Sequence, residues 1–340
     1  MASNGHAAHG HAVANIARAG DTVLVVGPDA EHMIVSSAVL SAASLKTKAL
    51  VDAGFAEQLP GPINGLVAVR LPHDQPGVVK AVLYALHSRV EFARHPFAAA
   101  ELVFVARTAD KFRLQPALAA TGITAAWLQN CLSAAGPAEP APVFALAVAA
   151  CLLNDADTFA VACRRLVFEH GGSYVPLARP YLGQELDAAR VMAVAMALEE
   201  TRGKLRLELA GTLATAADYH RLDMELCSCG WYVLGAKGGL AGSGLAVSDI
   251  SSSALGRCVE AADKVCSDSL QQHCHGAHQY PHVGNMVRER LKFLMKREDG
   301  SPCLWCVYQG EPHHMHPGEG ERFEKVTNWL REELGRIARV

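Results

Sequence analysis

The sequence predicts an α+β fold: a small β-sheet covered by helices near the amino end, then a mostly α-helical part that closes in a Cys/His-rich lobe. Three observations carry this expectation. Short β-branched runs cluster early, at Thr22 to Val26, His32 to Val35 and Val67 to Leu71, and each is closed by turn-forming residues. From Val79 onward, apolar residues recur at helical spacing. Seven of the ten cysteines and seven of the sixteen histidines fall after residue 226.

At 340 residues the chain exceeds what one compact core usually holds, so two domains, or one with a helical extension, are expected. An apolar content of 50% against 19% charged residues excludes disorder over most of its length. A formal net charge of -3 supplies no overall basic field, so a nucleic-acid role would need a local patch. The longest apolar run, Val143 to Leu153, is eleven residues, short of the ~18 to 20 that cross a bilayer. Pro137, Pro140 and Pro142 interrupt the wider window, so no membrane span is expected. Met1 to Asp21 lacks the order of a secretory signal. The expected location is therefore intracellular, cytoplasmic or nuclear, with cysteines kept as thiols or metal ligands.

Residues 1–18 read as a flexible tail, glycine- and histidine-bearing at its start. Thr22 to Val26, the Gly27-Pro28-Asp29 turn and His32 to Val35 read as a β-hairpin. A helix follows, then a strand at Val67 to Leu71. Asp74-Gln75-Pro76 supplies a cap and an N1 proline to a helix through Val79, Val82, Leu83 and Leu86. Leu102, Val105, Ala106, Ala109 and Phe112 mark a second amphipathic helix, and Trp127 and Leu128 end a third. One α+β domain thus spans 19–130. Residues 131–142 form a Pro/Ala linker and 143–226 a helical domain, in which Phe159, Ala162, Cys163, Leu166 and Val167 share a stripe capped by Asp157. Leu186 to Glu200 and Leu205 to Leu226 are further helical patterns. Residues 227–340 form the Cys/His-rich lobe, whose closing helix carries Phe323, Val326, Leu330, Leu334 and Ile337.

Several of these segments match one family residue by residue. Gly20 to Gly27 (GDTVLVVG) fits an opening strand, Ile34 to Ser44 (IVSSAVLSAAS) a hairpin return and helix, Val69 to Asp74 with Leu83 and His87 the next strand and helix, and Ala109-Asp110-Lys111-Phe112 a later helix. The segment resembles the BTB/POZ domain, and most closely its large filamentous-fungal group. Ser36 stands where the family often has His, and Leu45 and Thr47 where it often has Pro and Phe. The resemblance implies protein association without chemistry: homodimerisation, docking to a cullin-type ubiquitin-ligase scaffold, or contact with transcriptional regulators. Phe55-Ala56-Glu57 looks like the hydrophobic-x-acidic triplet of cullin-binding members, with Phe55 as anchor and Glu57 orienting it. A loop aromatic tucked into its own domain is the competing reading. Asp21 lies where dimeric members place an acidic residue beneath the subunit interface, and a helix cap or turn is its alternative role.

The second chemistry-bearing region reads Cys303-Leu-Trp-Cys306, six residues, then His313-His-Met-His316. This C-x2-C-x6-H-x2-H pattern offers zinc two thiolates and two imidazoles. Its histidine gap is one residue shorter than usual, so one ligand is free to come from elsewhere. Cys227-Ser-Cys229, and Cys266 with Cys274, are the available further donors. The elements Cys227-Ser-Cys229-Gly-Trp231-Tyr232 and Pro302-Cys303-Leu-Trp-Cys306 resemble the helical end of many fungal BTB proteins. That resemblance implies structural zinc, because a filled shell leaves no open position for substrate. Small buried thiols at Cys258, Cys266 and Cys274 are the plainer alternative.

Enzymatic patterns are weak. Gly235 to Gly244 lacks both the GK[ST] ending and the GxGxxG order of phosphate loops. A metallohydrolase site at His313, His314 and His316 is disfavoured by Pro312 and Pro317, which prevent a metal-binding helix. The expected function is therefore a non-enzymatic interaction module or adaptor with structural zinc. The alternatives are a zinc-dependent DNA-binding regulator, using the Arg288 to Arg297 stretch, and, less favoured, that metallohydrolase.

Overall fold

Strands β2 (Thr22–Val26) and β3 (Glu31–Val35) form the antiparallel hairpin that the β-branched runs predict. Gly27, at φ 76°, opens its turn, and Ala30 closes it in the left-handed region at φ 52°, its amide bonded to the Gly27 carbonyl at 3.2 Å. Helices α1 (Ser37–Ala43) and α2 (Leu45–Ala56) then cross over to β4 (Val67–Leu71), which pairs parallel with β2. The amino-terminal segment departs from the expected tail. Val13–Asn15 forms β1, parallel to β3, and Ile16 is wholly buried, so residues from 13 on, expected as tail up to 18, belong to the fold. The sheet order is β1-β3-β2-β4. This computed structural model describes residues 13–56, 65–136, 139–182, 188–223, 250, 253–271 and 289–293.

Pro76 occupies the first turn of α3 (Pro76–Leu86), although Gln75, its N-cap, makes no side-chain cap bond. Asp74 instead receives Lys111 through both carboxylate oxygens, at 2.7 and 2.8 Å. A short 3-10 turn (Val90–Arg94) leads to α4 (Ala99–Lys111), where the Glu101 carboxylate accepts from the Ala98 amide at 2.7 Å. Helices α5 (Gln115–Thr121) and α6 (Ile123–Ala134) are split by Gly122 at φ 69°. Trp127 therefore lies in the middle of α6, with its indole N–H donating to the Phe92 carbonyl at 2.6 Å.

The Pro/Ala stretch is largely helical rather than a spacer. Cys131 to Ala134 complete α6, and Pro140 opens α7 (Pro140–Leu153), where a proline without an amide hydrogen costs nothing. Arg165, on α8 (Ala156–Glu169), donates to the carbonyls of Leu132, Ala135 and Gly136, ties that connection down and satisfies the exposed end of α6. Every residue from Val143 to Leu153 is buried, and α7 packs along both α4 and α8. Among the described residues, one buried apolar cluster takes in side chains from both sides of this stretch, Ile16 and Leu291 included. The 131–142 stretch thus separates two compositions but not two cores.

The cap of α8 is Asp155, which accepts from the Thr158 amide at 2.9 Å; Asp157, the expected cap, sits inside the first turn. After α9 (Val175–Ala178) and a 3-10 turn (Arg179–Tyr181), the two predicted helical patterns fuse into α10 (Ala188–Asp223) of 36 residues. Helix α11 (Leu255–Gln271) packs against α8 and α10. No helix among the described residues is long and apolar enough to cross a membrane.

Candidate interaction face

Helix α2 has two unlike flanks. Thr47, Val51 and Gly54 are buried, one turn apart, against the sheet. The approach to β4 is so close that a Cβ on Gly54 would meet Val69 Cγ2 at 2.7 Å and force that side chain to shift. The opposite flank carries Leu45, 86% exposed, and Phe55, 44% exposed, about 15 Å apart along the helix. The Lys48–Asp52 ion pair lies between them. Phe55 is thus an exposed helical side chain rather than a tucked loop aromatic. Glu57, its proposed partner in the triplet, lies outside the described residues. Exposure of Leu45 could not be read from sequence: periodicity alone does not say which flank of a short helix meets the sheet.

Beneath α2 lies an apolar cavity of about 40 Å³ bordered by Thr47, Val51, Val69, Val82, Leu86 and Phe112, among others. Ligand pockets are nearer ~300 to 1,000 Å³, so this is a packing gap. Thr47 Oγ1 sits 2.5 Å from the Leu40 carbonyl, which keeps its hydroxyl satisfied at the rim.

Asp21 is placed by the turn before β2 at the amino end of α1. Its carboxylate accepts from the Ser37 amide at 2.7 Å and the Ser37 hydroxyl at 2.5 Å, with the Thr22 hydroxyl at 3.3 Å. Burial pushes the carboxyl up, but these hydrogen bonds outweigh it and hold it below its ordinary value. Asp21 thus accepts from the first residue of α1 across sixteen residues of sequence, while Ser36 is that helix's N-cap. On the other side, His87 at the end of α3 accepts from the Ser36 amide through Nε2 at 3.2 Å, while its Nδ1 faces the Leu83 carbonyl at 2.9 Å. Burial lowers the imidazole's proton affinity; the Leu83 carbonyl raises it, Arg89 lowers it further, and the net shift is downward. Sequence reasoning matched His87 to a helix position but gave it no role, because a partner 51 residues away leaves no local signal.

The expected metal ligands Cys227, Cys229, Cys274, Cys303, Cys306, His313 and His316 lie outside the described residues. Cys266 belongs to α11, but its side chain is outside them too. Cys258, about two turns earlier on the same helix, is buried at 2% exposure. Among the described residues, no group of three or more His, Cys, Asp or Glu side chains is arranged to hold a metal ion.

Comparison with known proteins finds no family model, no curated protein and no solved structure that matches the chain.

Proposed function

We propose that the chain is a non-enzymatic protein-interaction module of the BTB/POZ kind, binding a protein partner through the exposed flank of α2. The observation that carries this reading is the order of elements around that flank. A central antiparallel hairpin is followed by two helices, a third strand parallel to the first, and then covering helices, as the resemblance implies. Supporting it, Leu45 and Phe55 offer two apolar anchors on one side of a helix whose other side is fixed to the sheet. Aromatic anchors on rigid elements are the residues that dominate association energies. Zinc held by the C-terminal Cys/His residues, including Cys303, Cys306, His313 and His316, belongs to the same proposal and would serve the structure rather than catalysis.

The test uses the full chain. Sedimentation at micromolar concentration measures self-association, and a binding assay with the amino-terminal domain of a cullin-type scaffold measures docking. A double substitution, Leu45→Asp with Phe55→Ala, should weaken whichever association occurs by at least about tenfold, the effect of losing one or two buried anchors. Association unmoved by both substitutions would place the binding face elsewhere. Metal analysis of the same preparation should give zinc in whole-number stoichiometry, lost in Cys303→Ser with Cys306→Ser.

A further inference from the structure

We propose that His87 is an acid-sensitive latch on the amino end of α1, and through it on the α1–α2 pair. The two partners of the ring fix its protonation state. A carbonyl can only accept, so the 2.9 Å contact with Leu83 requires hydrogen on Nδ1. An amide can only donate, so the 3.2 Å contact with Ser36 requires a bare Nε2. Only the neutral imidazole meets both demands. Adding a proton turns the Ser36 contact into hydrogen facing hydrogen, and it places a cation against the positive end of α1.

The remaining ties at this helix end are few. The Ser36 hydroxyl reaches the Val39 amide at 3.4 Å, a long cap, and Asp21 holds Ser37. The His87–Ser36 bond thus ties this end of α1 to the end of α3. Charges on the surrounding elements do not rescue the protonated ring. α1 and α5 carry no charged side chain, β3 brings Glu31 and His32, and α4 brings Glu101, Arg107, Asp110 and Lys111. Both oxygens of Asp21 are committed to Ser37. On the 3-10 side lie Arg94, Glu91 and Arg89, the last two ion-paired at 2.7 Å, and the Arg89 charge further disfavours a proton on the ring.

Mild acid therefore loosens the start of α1 while the sheet stays closed. Its effect on a partner rests on the proposed α2 interaction face; the latch itself does not. The experiment follows the His87 ring by NMR in the full chain, together with amide protection from about pH 7.5 to 5, the range in which histidine changes charge. The ring should titrate below the ordinary value of about 6.5. Protection at Ser37 and Val39 should fall by up to about tenfold per pH unit, the slope one proton imposes, while Val23 in the sheet stays protected. His87→Gln, which keeps an acceptor and a donor but does not titrate, should hold α1 protection constant with pH. His87→Ala should lower it at every pH, and if that variant does not fold, the Gln variant still decides. A ring titrating at or above 6.5, α1 protection indifferent to pH, or pH dependence surviving in His87→Gln overturns the latch. Because this readout involves no partner, it can fail while the α2 face still binds. Loss of binding in the Leu45/Phe55 variant, conversely, leaves it intact.

Discussion

Replacing Arg202 with Ala is expected to release the loop between α8 and α9 from α10. Arg202 is only 3% exposed. Its Nη1 donates to the carbonyls of Gly172 at 2.5 Å and His170 at 3.1 Å, and its Nη2 to the Glu199 carboxylate. The guanidinium lies 4.3 Å from the centre of the Tyr174 ring. The other Glu199 oxygen accepts from the Tyr174 amide at 2.9 Å, which closes the circuit. Hydrogen bonds to a charged group are worth about 1.5 to 3 kcal/mol each, so the gross gain is large. Burying the guanidinium costs several kcal/mol in return, and its Nε has no partner among the described residues. Truncation is nevertheless expensive, because it strands two carbonyls and takes away one of the Glu199 carboxylate's partners: about 3 to 5 kcal/mol is expected. Arg202→Lys keeps the charge but not the fork, and should recover only part of this. Urea denaturation followed by circular dichroism measures the loss, and hydrogen exchange at Tyr174 and Ala178 locates it. A loss below about 1 kcal/mol, the scale of an exposed ion pair, would show that this network does not lock the loop.

Ala30 occupies a left-handed conformation that costs an L-residue about 1 kcal/mol or more, so Ala30→Gly should raise the melting temperature despite its unfolded-state entropy cost; a lowered value refutes the turn geometry. Asp155→Ala should cost about 1 kcal/mol as a lost helix cap, whereas Asp157→Ala should stay within about 0.5 kcal/mol, and the reverse ranking would restore Asp157 as the cap. The Asp21 carboxyl is held below its ordinary 3.8, so its contribution is complete above that value and disappears as pH falls through the lower, folded one. Asp21→Asn should accordingly flatten the acid limb of stability against pH, and identical acid limbs in the two proteins would remove this assignment.

Local signals carried the architecture well where one residue type decides the backbone. Gly27 and the β-branched runs on either side specify the hairpin, and Pro76 marks a helix start that the structure reproduces. The failures share a physical cause. β1 has three residues of ordinary composition and exists because β3 offers it an edge, a long-range pairing with no local signature. The Pro/Ala stretch looks like a spacer because proline ends helices, yet proline also begins them, as Pro140 does for α7, while Arg165 from α8 holds the carbonyls at the end of α6. The two helical patterns at Leu186 to Glu200 and Leu205 to Leu226 read as separate, yet α10 runs through the residues between them, where Arg202 and Leu205 are both buried. Phe55 and Asp21 were legible as residues of interest. Their environments were not, since exposure and the Ser37 partner depend on which flank of α2 meets the sheet and where the turn before β2 ends.

The unbroken core has a consequence for dividing the chain. Helix α4 buries Leu102, Val103, Val105, Ala106 and Ala109, residues that span more than one face of a single helix. One side meets α3; the other meets α7, which is itself apolar on every side. Cutting after residue 136 would leave α4 without that cover and expose a contiguous apolar strip on the amino-terminal part, the kind of surface that drives aggregation. Residues 13–136 made alone should therefore bind a hydrophobic dye strongly and elute as heterogeneous aggregates, while the full chain does neither. A monodisperse fragment with α4 amides protected as in the whole protein would mean that α7 docks onto a finished domain, and the two compositions would then be two independent folds in contact.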